Sequence, residues 1–212
     1  MTTEPEPSLP PYEGIKLADI RLVRSSQDAE QAFAALLAAD AIGFDTESKP
    51  TFQKGEASTG PHLIQFATDD TAYLFQVGAG APLDMLKAIL ESTLPLKVGF
   101  GLSDDVKRLY NKLDITVAGV LDLSVALRTS GQRNDLGAKT AVAKFFGRQL
   151  QKSKKISTTN WATARLSERQ ILYAADDAQV ALRVYRRWIA DGGKVAPSKP
   201  ARPRRPRPQP AA

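Results

Sequence analysis

A chain of 212 residues, 42% of them hydrophobic, can bury one good core, so one domain with tails is expected rather than two domains. Cysteine is absent and His62 is the single histidine, which excludes disulfides, thiolate or multi-histidine metal sites and a cysteine nucleophile, and leaves oxygen as the donor for any metal. The net charge of +6 resides in the C-terminal segment, where Lys194, Lys199, Arg202, Arg204, Arg205 and Arg207 stand without an acid; the rest of the chain is neutral and must meet a polyanion through local patches or cations.

Residues 1–14 form the first segment. Met1 to Pro11 is proline-rich with only Glu4 and Glu6 charged, which reads as a flexible arm. The globular part is expected over residues 15–193. Ile20 to Val23 is a short strand candidate, and Ser25 or Ser26 looks like the N-cap of a helix over about Gln27–Ala38, since Ala29, Phe33, Leu36 and Leu37 recur with helical period.

Ala41 to Glu47 is an apolar run that ends in two acids. Asp45 and Glu47 are two apart, so on a strand they project from the same face. Two readings are open for such a pair: a solvated strand end, or a site for a hard divalent cation whose charge would relieve the repulsion. Lys49 to Pro61 is a longer connection expected to overhang that point. Strands at His62–Ala67 and Thr71–Val77 should pair as a hairpin around Asp69-Asp70. A helix over about Pro82–Glu91 and a buried strand at Leu96–Gly99 follow.

Ser103 is the expected N-cap of the next helix, with Asp104 and Asp105 in its first turn, where the helix dipole favours acids. Leu102, Val106, Leu109 and Leu113 set its apolar stripe. Asp105 falls on the flank of that stripe and can look inward; Asp104 falls opposite and should lie in water. A strand at Val117–Leu121 precedes helices at about Leu123–Arg128 and Leu136–Phe146, and Gln149 to Ile156 is a basic, polar segment. The last helix is expected over Ser167–Ala190 with a stripe of Ile171, Ala175, Ala178, Leu182, Tyr185 and Ile189. Tyr173 and Asp177, four apart, share a face beside this stripe, whereas Asp176 is expected on the solvated side. Alone, such a pair is also an ordinary helix-surface hydrogen bond. Residues 194–212 read as a disordered basic Pro/Arg tail. No apolar run approaches the roughly 18 residues of a membrane span, and no charged-then-apolar leader is visible, so an intracellular, cytoplasmic protein is expected, nucleoid association being compatible with that.

Phe44-Asp45-Thr46-Glu47, then Val98-Gly99-Phe100-Gly101 running into Asp105, then Tyr173-Ala174-Ala175-Asp176-Asp177, resemble in order and context the three motifs of the DEDD 3′→5′ exonuclease superfamily. The tyrosine four residues before the last Asp matches the DEDDy branch, which includes ribonuclease D and the Werner-type exonuclease domain. Leu63-Ile64-Gln65-Phe66, Tyr73-Leu74-Phe75, Asp122-Leu123, Phe145-Phe146-Gly147 and Asn160-Trp161 look similar to the Werner-type domain, and the likeness covers about residues 20–190. One departure is Ser48-Lys49-Pro50, where several relatives have an aromatic after the Glu.

The resemblance implies an α/β, ribonuclease H-like fold: a mixed five-stranded sheet, three antiparallel strands first, flanked by helices on both faces. It also implies two divalent cations, Mg²⁺ or Mn²⁺, held by Asp45, Glu47, Asp105 and Asp177. Asp45 would contact both ions and Tyr173 would orient the attacking water. Lys49, Lys152, Lys154, Lys155 and Trp161 are candidate nucleic-acid contacts. The expected partner is a nucleic acid with a 3′ end, DNA more than RNA, with release of nucleoside 5′-monophosphates. RNA 3′-end trimming and a catalytically silent nucleic-acid-binding module are the alternatives.

Overall fold

The computed structural model describes residues 9–52, 55–78, 82–128 and 134–195. A 3₁₀ turn at Leu17–Asp19 leads into strand β1 (Ile20–Val23) and helix α1 (Ser26–Leu37). A capping box starts α1: the Ser25 hydroxyl accepts the Asp28 N–H at 3.1 Å, and the Asp28 carboxylate accepts the Ser25 N–H at 3.1 Å. Strand β2 (Ala41–Glu47) is followed by the hairpin β3 (Leu63–Ala67) and β4 (Ala72–Gln76), whose Asp69-Asp70 turn is where the sequence put it. Then come α2 (Leu83–Glu91), β5 (Leu96–Gly99), α3 (Ser103–Leu113), β6 (Val120–Asp122), α4 (Leu123–Ala126), α5 (Ala138–Phe146), α6 (Lys154–Ser157) and the long α7 (Glu168–Ala190).

Among the described residues the sheet has six strands in the order β1-β4-β3-β2-β5-β6, one for each strand candidate in the sequence and one more than the five the resemblance implies. β2, β3 and β4 form the antiparallel meander; β1 adds in parallel to β4, with Ile20 opposite Ala72, and β5 and β6 extend the other edge in parallel. The additional strand is the edge strand β1, which the sequence offered as a short candidate at the same residues, Ile20–Val23.

Alternation along β2 sends its residues to two different layers. Ile42 and Phe44, with Ile64, Phe66 and Phe75, pack against Ala29, Ala32 and Leu36 of α1, Leu86 and Ile89 of α2, and Leu109 of α3. On the opposite face Leu63, Ala67 and Leu74 meet Ala174, Ala175 and Ala178 of α7. A further group joins α5 to α7 through Ala141, Val142, Val180, Ala181 and Val184. Helix α7 is therefore enclosed on more than the one stripe expected, and it opens to solvent at its ends, at Glu168 and Arg169 in the first turn and at Ile189, 38% exposed, in the last. Arg186 ties that end to the sheet, donating to Asp40 at 2.7 Å and to Asp69 at 3.1 Å.

Small residues let α7 lie directly on β2. A Cβ built on Gly43 would fall 1.9 Å from the Ala178 carbonyl oxygen, so the helix backbone occupies the place of a side chain. Residues 9–14, expected as part of a flexible arm, are instead docked: Pro11 bridges Gln149, and Tyr12 packs on Phe146 with ring centroids 5.8 Å apart. The remainder of that arm, residues 1–8, and nearly all of the Pro/Arg tail lie outside the described residues.

Lys97 of β5 is fully buried, its ammonium donating to the Ser92 carbonyl and, at 3.0 Å, to the Ala118 carbonyl. Burial lowers its pKa from 10.5 to about 8. Two predictions follow from these packing features. Gly43→Ala should destabilise the protein by about 3 kcal/mol or more, because the overlap is with backbone that has no rotamer to move; a thermal melt within a degree or two of the parent would contradict that. For Lys97 the unfolded chain binds the extra proton between pH 8 and 10.5, so native stability should rise with pH across that window. Relative to Lys97→Met, in which this titration is gone, the gain should be roughly 1–3 kcal/mol, read from urea melts at pH 7.5 and 10.

Candidate active site

At the C-terminal end of β2, the two acids that share a face meet the acid delivered by α7. Carboxylate oxygens of Asp45, Glu47 and Asp177 lie within 4.8 Å of one another. Alternation places Asp45 and Glu47 on the α7 side of the sheet, and the seating of Ala178 on Gly43 brings the preceding Asp177 down onto them. One oxygen of Asp45 accepts the Thr46 N–H at 2.8 Å. A cation already attends the group: Lys152 Nζ stands 2.9 Å from Asp177 Oδ1 and 6.0 Å from the centre of the Tyr173 ring.

Burial dominates the electrostatics. It pushes the Asp45 carboxyl well above its usual range, and the charges of Asp177 and Asp105 push the same way. Burial, then Asp45 and Asp177, raise Glu47 to about 9. Burial also raises Asp177, opposed by Lys152 and the Tyr173 hydroxyl. Burial followed by the charges of Asp177, Glu47 and Asp45 holds the Tyr173 phenol above its ordinary value, so it keeps its proton. Three clustered carboxylates that bind protons this tightly are short of positive charge. An all-oxygen donor set of this kind fits Mg²⁺ or Mn²⁺ and no soft metal.

Asp105 is 9% exposed and turned inward as the helical phase predicts, yet it reaches the site differently. Its Oδ1 accepts the Thr46 hydroxyl at 2.5 Å and lies 3.5 Å from Arg108 Nη1. Thr46 points to the face of β2 opposite Asp45 and Glu47, so Asp105 sits behind the strand end rather than in the triad. The turn that presents it is not capped by Ser103, as expected; the cap residue is Leu102. Asp122 of β6 supplies the missing acceptor, taking the N–H groups of Gly101 at 2.9 Å and Leu102 at 3.0 Å while also capping α4 through Ser124. Gly101 carries the positive φ of 69° that this bend needs. Asp104 is exposed and pairs with Lys107 at 3.0 Å, in water as predicted.

Two site expectations are corrected. Trp161, a candidate nucleic-acid contact, is 1% exposed and cannot stack on a base. Its indole N–H donates to the Ser157 carbonyl at 3.2 Å, and its ring lies 6.1 Å from that of Tyr173, so it backs the tyrosine. Asp176 is not solvated: its Oδ1 accepts the Ile15 N–H at 2.8 Å, and Gly14 passes so close that a Cβ there would fall 2.2 Å from it. The docked N-terminal segment also bonds to the loop that leads to Lys152, Tyr12 N–H donating to the Gln149 carbonyl at 3.0 Å and Gln149 N–H to the Pro10 carbonyl at 2.8 Å. Lys49, Lys154 and Lys155 are exposed, whereas Lys152 is engaged with Asp177.

Thr46, Asp122 and the Tyr12–Ile15 segment are the site-building residues that sequence reasoning did not assign. A threonine between two acids was the one visible signal, since strand alternation puts its hydroxyl on the other face.

A family model described as 3′-5′ exonuclease matches residues 20–188. The bifunctional 3′-5′ exonuclease/ATP-dependent helicase WRN of Mus musculus is 28% identical over 150 residues, covering 70% of this chain and 11% of that protein. Ribonuclease D of Bartonella henselae is 27% identical over 169 residues, covering 78% of this chain and 40% of the relative. The chain thus spans well under half the length of either. The crystal structure of the Aedes aegypti Nibbler EXO domain superposes with a TM-score of 0.68 at 23% identity, covering 84% of this chain and 92% of that one. A family match that runs from β1 almost to the end of α7 decides the matter: the chain belongs to the DEDDy-type 3′-5′ exonucleases and has their ribonuclease H-like fold.

Proposed function

We propose that this chain is a metal-dependent exonuclease that hydrolyses phosphodiester bonds from nucleic-acid 3′ ends and releases nucleoside 5′-monophosphates, with DNA as the favoured substrate. The observation that carries this reading is the convergence of Asp45, Glu47 and Asp177 oxygens within 4.8 Å, beside a tyrosine that keeps its proton. Asp45, Glu47 and Asp177 would hold divalent cations, with Asp105 completing the set from behind the strand. Bound there, Mg²⁺ or Mn²⁺ supplies activation of water and stabilisation of charge on the phosphate and the leaving oxygen.

The chain's own groups do the rest. Tyr173, one helical turn before Asp177 and backed by Trp161, is a fixed hydroxyl donor suited to orienting the attacking water. A phenol is a poor base at neutral pH even at its ordinary pKa of about 10. Lys152, inside the acid cluster, is placed to shift from Asp177 to a phosphate oxygen when cations take its place. Exposed Lys49, two residues after Glu47, and exposed Lys154 and Lys155, just after Lys152, can hold the substrate backbone.

DNA is favoured by the fuller likeness of the surrounding motifs to the Werner-type domain. The second reading is RNA 3′-end trimming, which the similarity to ribonuclease D supports.

Asp45→Asn and Asp177→Asn should each lower kcat at least about 100-fold. Both should leave the melting temperature unchanged or higher, since each removes one charge from a crowded, desolvated group. Asp104→Asn should stay within about twofold of the parent, while Asp105→Asn falls with the other acids; equal effects at 104 and 105 would refute the inward role of Asp105. Tyr173→Phe should slow turnover about tenfold with KM little changed. Substrate choice is read from Mn²⁺-dependent mononucleotide release on matched labelled DNA and RNA, single-stranded and recessed. Faster release from DNA is expected, and preferential release from RNA would replace the first reading with the second.

A further inference from the structure

Gln65 is the residue of β3 paired directly with Asp45 of β2, so its side chain leaves the sheet on the same face as that acid. It is fully buried, and among the described residues neither its amide nitrogen nor its amide oxygen has a hydrogen-bond partner. The positions around it on that face are apolar: Leu63 and Ala67 two residues away on β3, Leu74 opposite on β4, and Ala174, Ala175 and Ala178 of α7 above. The polar exceptions are Asp45, directly opposite, and, diagonal to Gln65, Glu47 on β2 and Gln76 on β4, whose amide already donates to the Thr163 carbonyl at 3.1 Å. A buried amide left unbonded costs about 1–3 kcal/mol, and a leucine of similar size at this position would avoid that cost. Buried side-chain amides are almost always bonded, so an orphan beside a cluster of acids calls for a partner in the working state of the site.

We infer that the Gln65 side-chain amide is the hydrogen-bond donor that fixes the Asp45 carboxylate once divalent cations occupy the cluster, which makes Gln65 a positioning residue for the reaction. Cross-strand pairs have Cβ atoms about 5 Å apart, within the span of a glutamine side chain reaching a neighbouring carboxylate. Asp45 already has one oxygen fixed by the Thr46 N–H at 2.8 Å; a donor on the second oxygen would set the carboxylate plane, and with it the directions of the lone pairs offered to the cations. Gln65 touches neither substrate nor metal in this role. The inference rests on the metal-dependent reading of the cluster given above.

The test is Gln65→Leu in the full chain, followed by thermal melting, Mn²⁺ binding measured directly by electron paramagnetic resonance without substrate, and kinetics on a labelled oligonucleotide. A positioning role predicts a melting temperature equal to or above the parent, Mn²⁺ affinity weakened about tenfold, and kcat lowered about tenfold with KM within twofold. A folded Gln65→Leu with parental Mn²⁺ affinity and kcat overturns it.

If Gln65→Leu does not fold, the unaltered protein still decides. With ¹⁵N-labelled glutamine, the Gln65 side-chain amide, assigned by its through-space contacts to Leu63 and Leu74, should shift and become protected from exchange on saturation with Mg²⁺. An unmoved resonance overturns the proposal. Absence of Mn²⁺ binding by the unaltered protein would instead overturn the metal reading, and the role of Gln65 with it.

Discussion

Everything at this site depends on one steric contact, the seating of the α7 backbone on β2 at Gly43. A glycine at that point lets a helix carbonyl stand where a side chain would be, and the helix comes down by about the depth of that side chain. The consequence is electrostatic. Asp177 is carried onto Asp45 and Glu47, and the same layer of alanines that permits the approach excludes the water that would screen the three charges. A cluster that is apolar around its rim and acidic at its centre cannot be neutral and proton-free at once. In the structure, Lys152 supplies part of the compensation. Divalent cations, which DEDD exonucleases use and which this cluster of oxygen donors fits, would supply the rest.

The two sides of the site are built differently. Asp45, Glu47 and Asp177 are converged by backbone packing, so their arrangement is as rigid as the sheet–helix interface that makes it. Asp105 arrives on the first turn of α3 from the other face of the strand, oriented by Thr46, Arg108 and the cap that Asp122 places on that turn. Its carboxylate is already bonded before any cation is present. Coordination by Asp105 would therefore compete with local hydrogen bonds, whereas coordination by the triad would relieve repulsion. Of the two cation positions expected of the family, the one lined by the triad is the better preformed.

The sequence made some of this legible and hid the rest for physical reasons. Strand alternation put Asp45 and Glu47 on one face, which needs only the two-residue period of the strand, and helical phase separated inward Asp105 from solvated Asp104, because α3 has one buried and one wet side. The same reasoning failed at Asp176. Helix α7 packs against the sheet, against α5 and beneath the Tyr12–Ile15 segment, so the side opposite its apolar stripe is not solvent. Residues that come from far along the chain to cap or cover an element, such as Asp122 at α3 and Ile15 at Asp176, leave no periodic trace at the place they act. Trp161 shows the converse limit: an indole serves equally to stack on a base or to fill a core, and only burial distinguishes the two. Gln65 was quoted for its likeness to the Werner-type domain, but nothing in its neighbours' identities announced that it would be both buried and unbonded.

The docked N-terminal segment adds a constraint that composition concealed. Proline-rich and nearly uncharged, it has the signature of an unattached arm, yet several of its backbone groups have partners on either side of the acids. Ile15 bonds to Asp176, next to Asp177, and Tyr12 and Pro10 bond to Gln149, three residues before Lys152. Arg183 of α7 closes the arrangement by donating to the Tyr12 hydroxyl at 3.2 Å. The segment thus ties together the strand-like stretch that carries Lys152 and the helix that carries Asp177, the two halves of the ion pair at the centre of the cluster. The fixed φ of Pro10 and Pro11 favours this extended path, so the residues that suggested disorder also lower the entropy lost on docking.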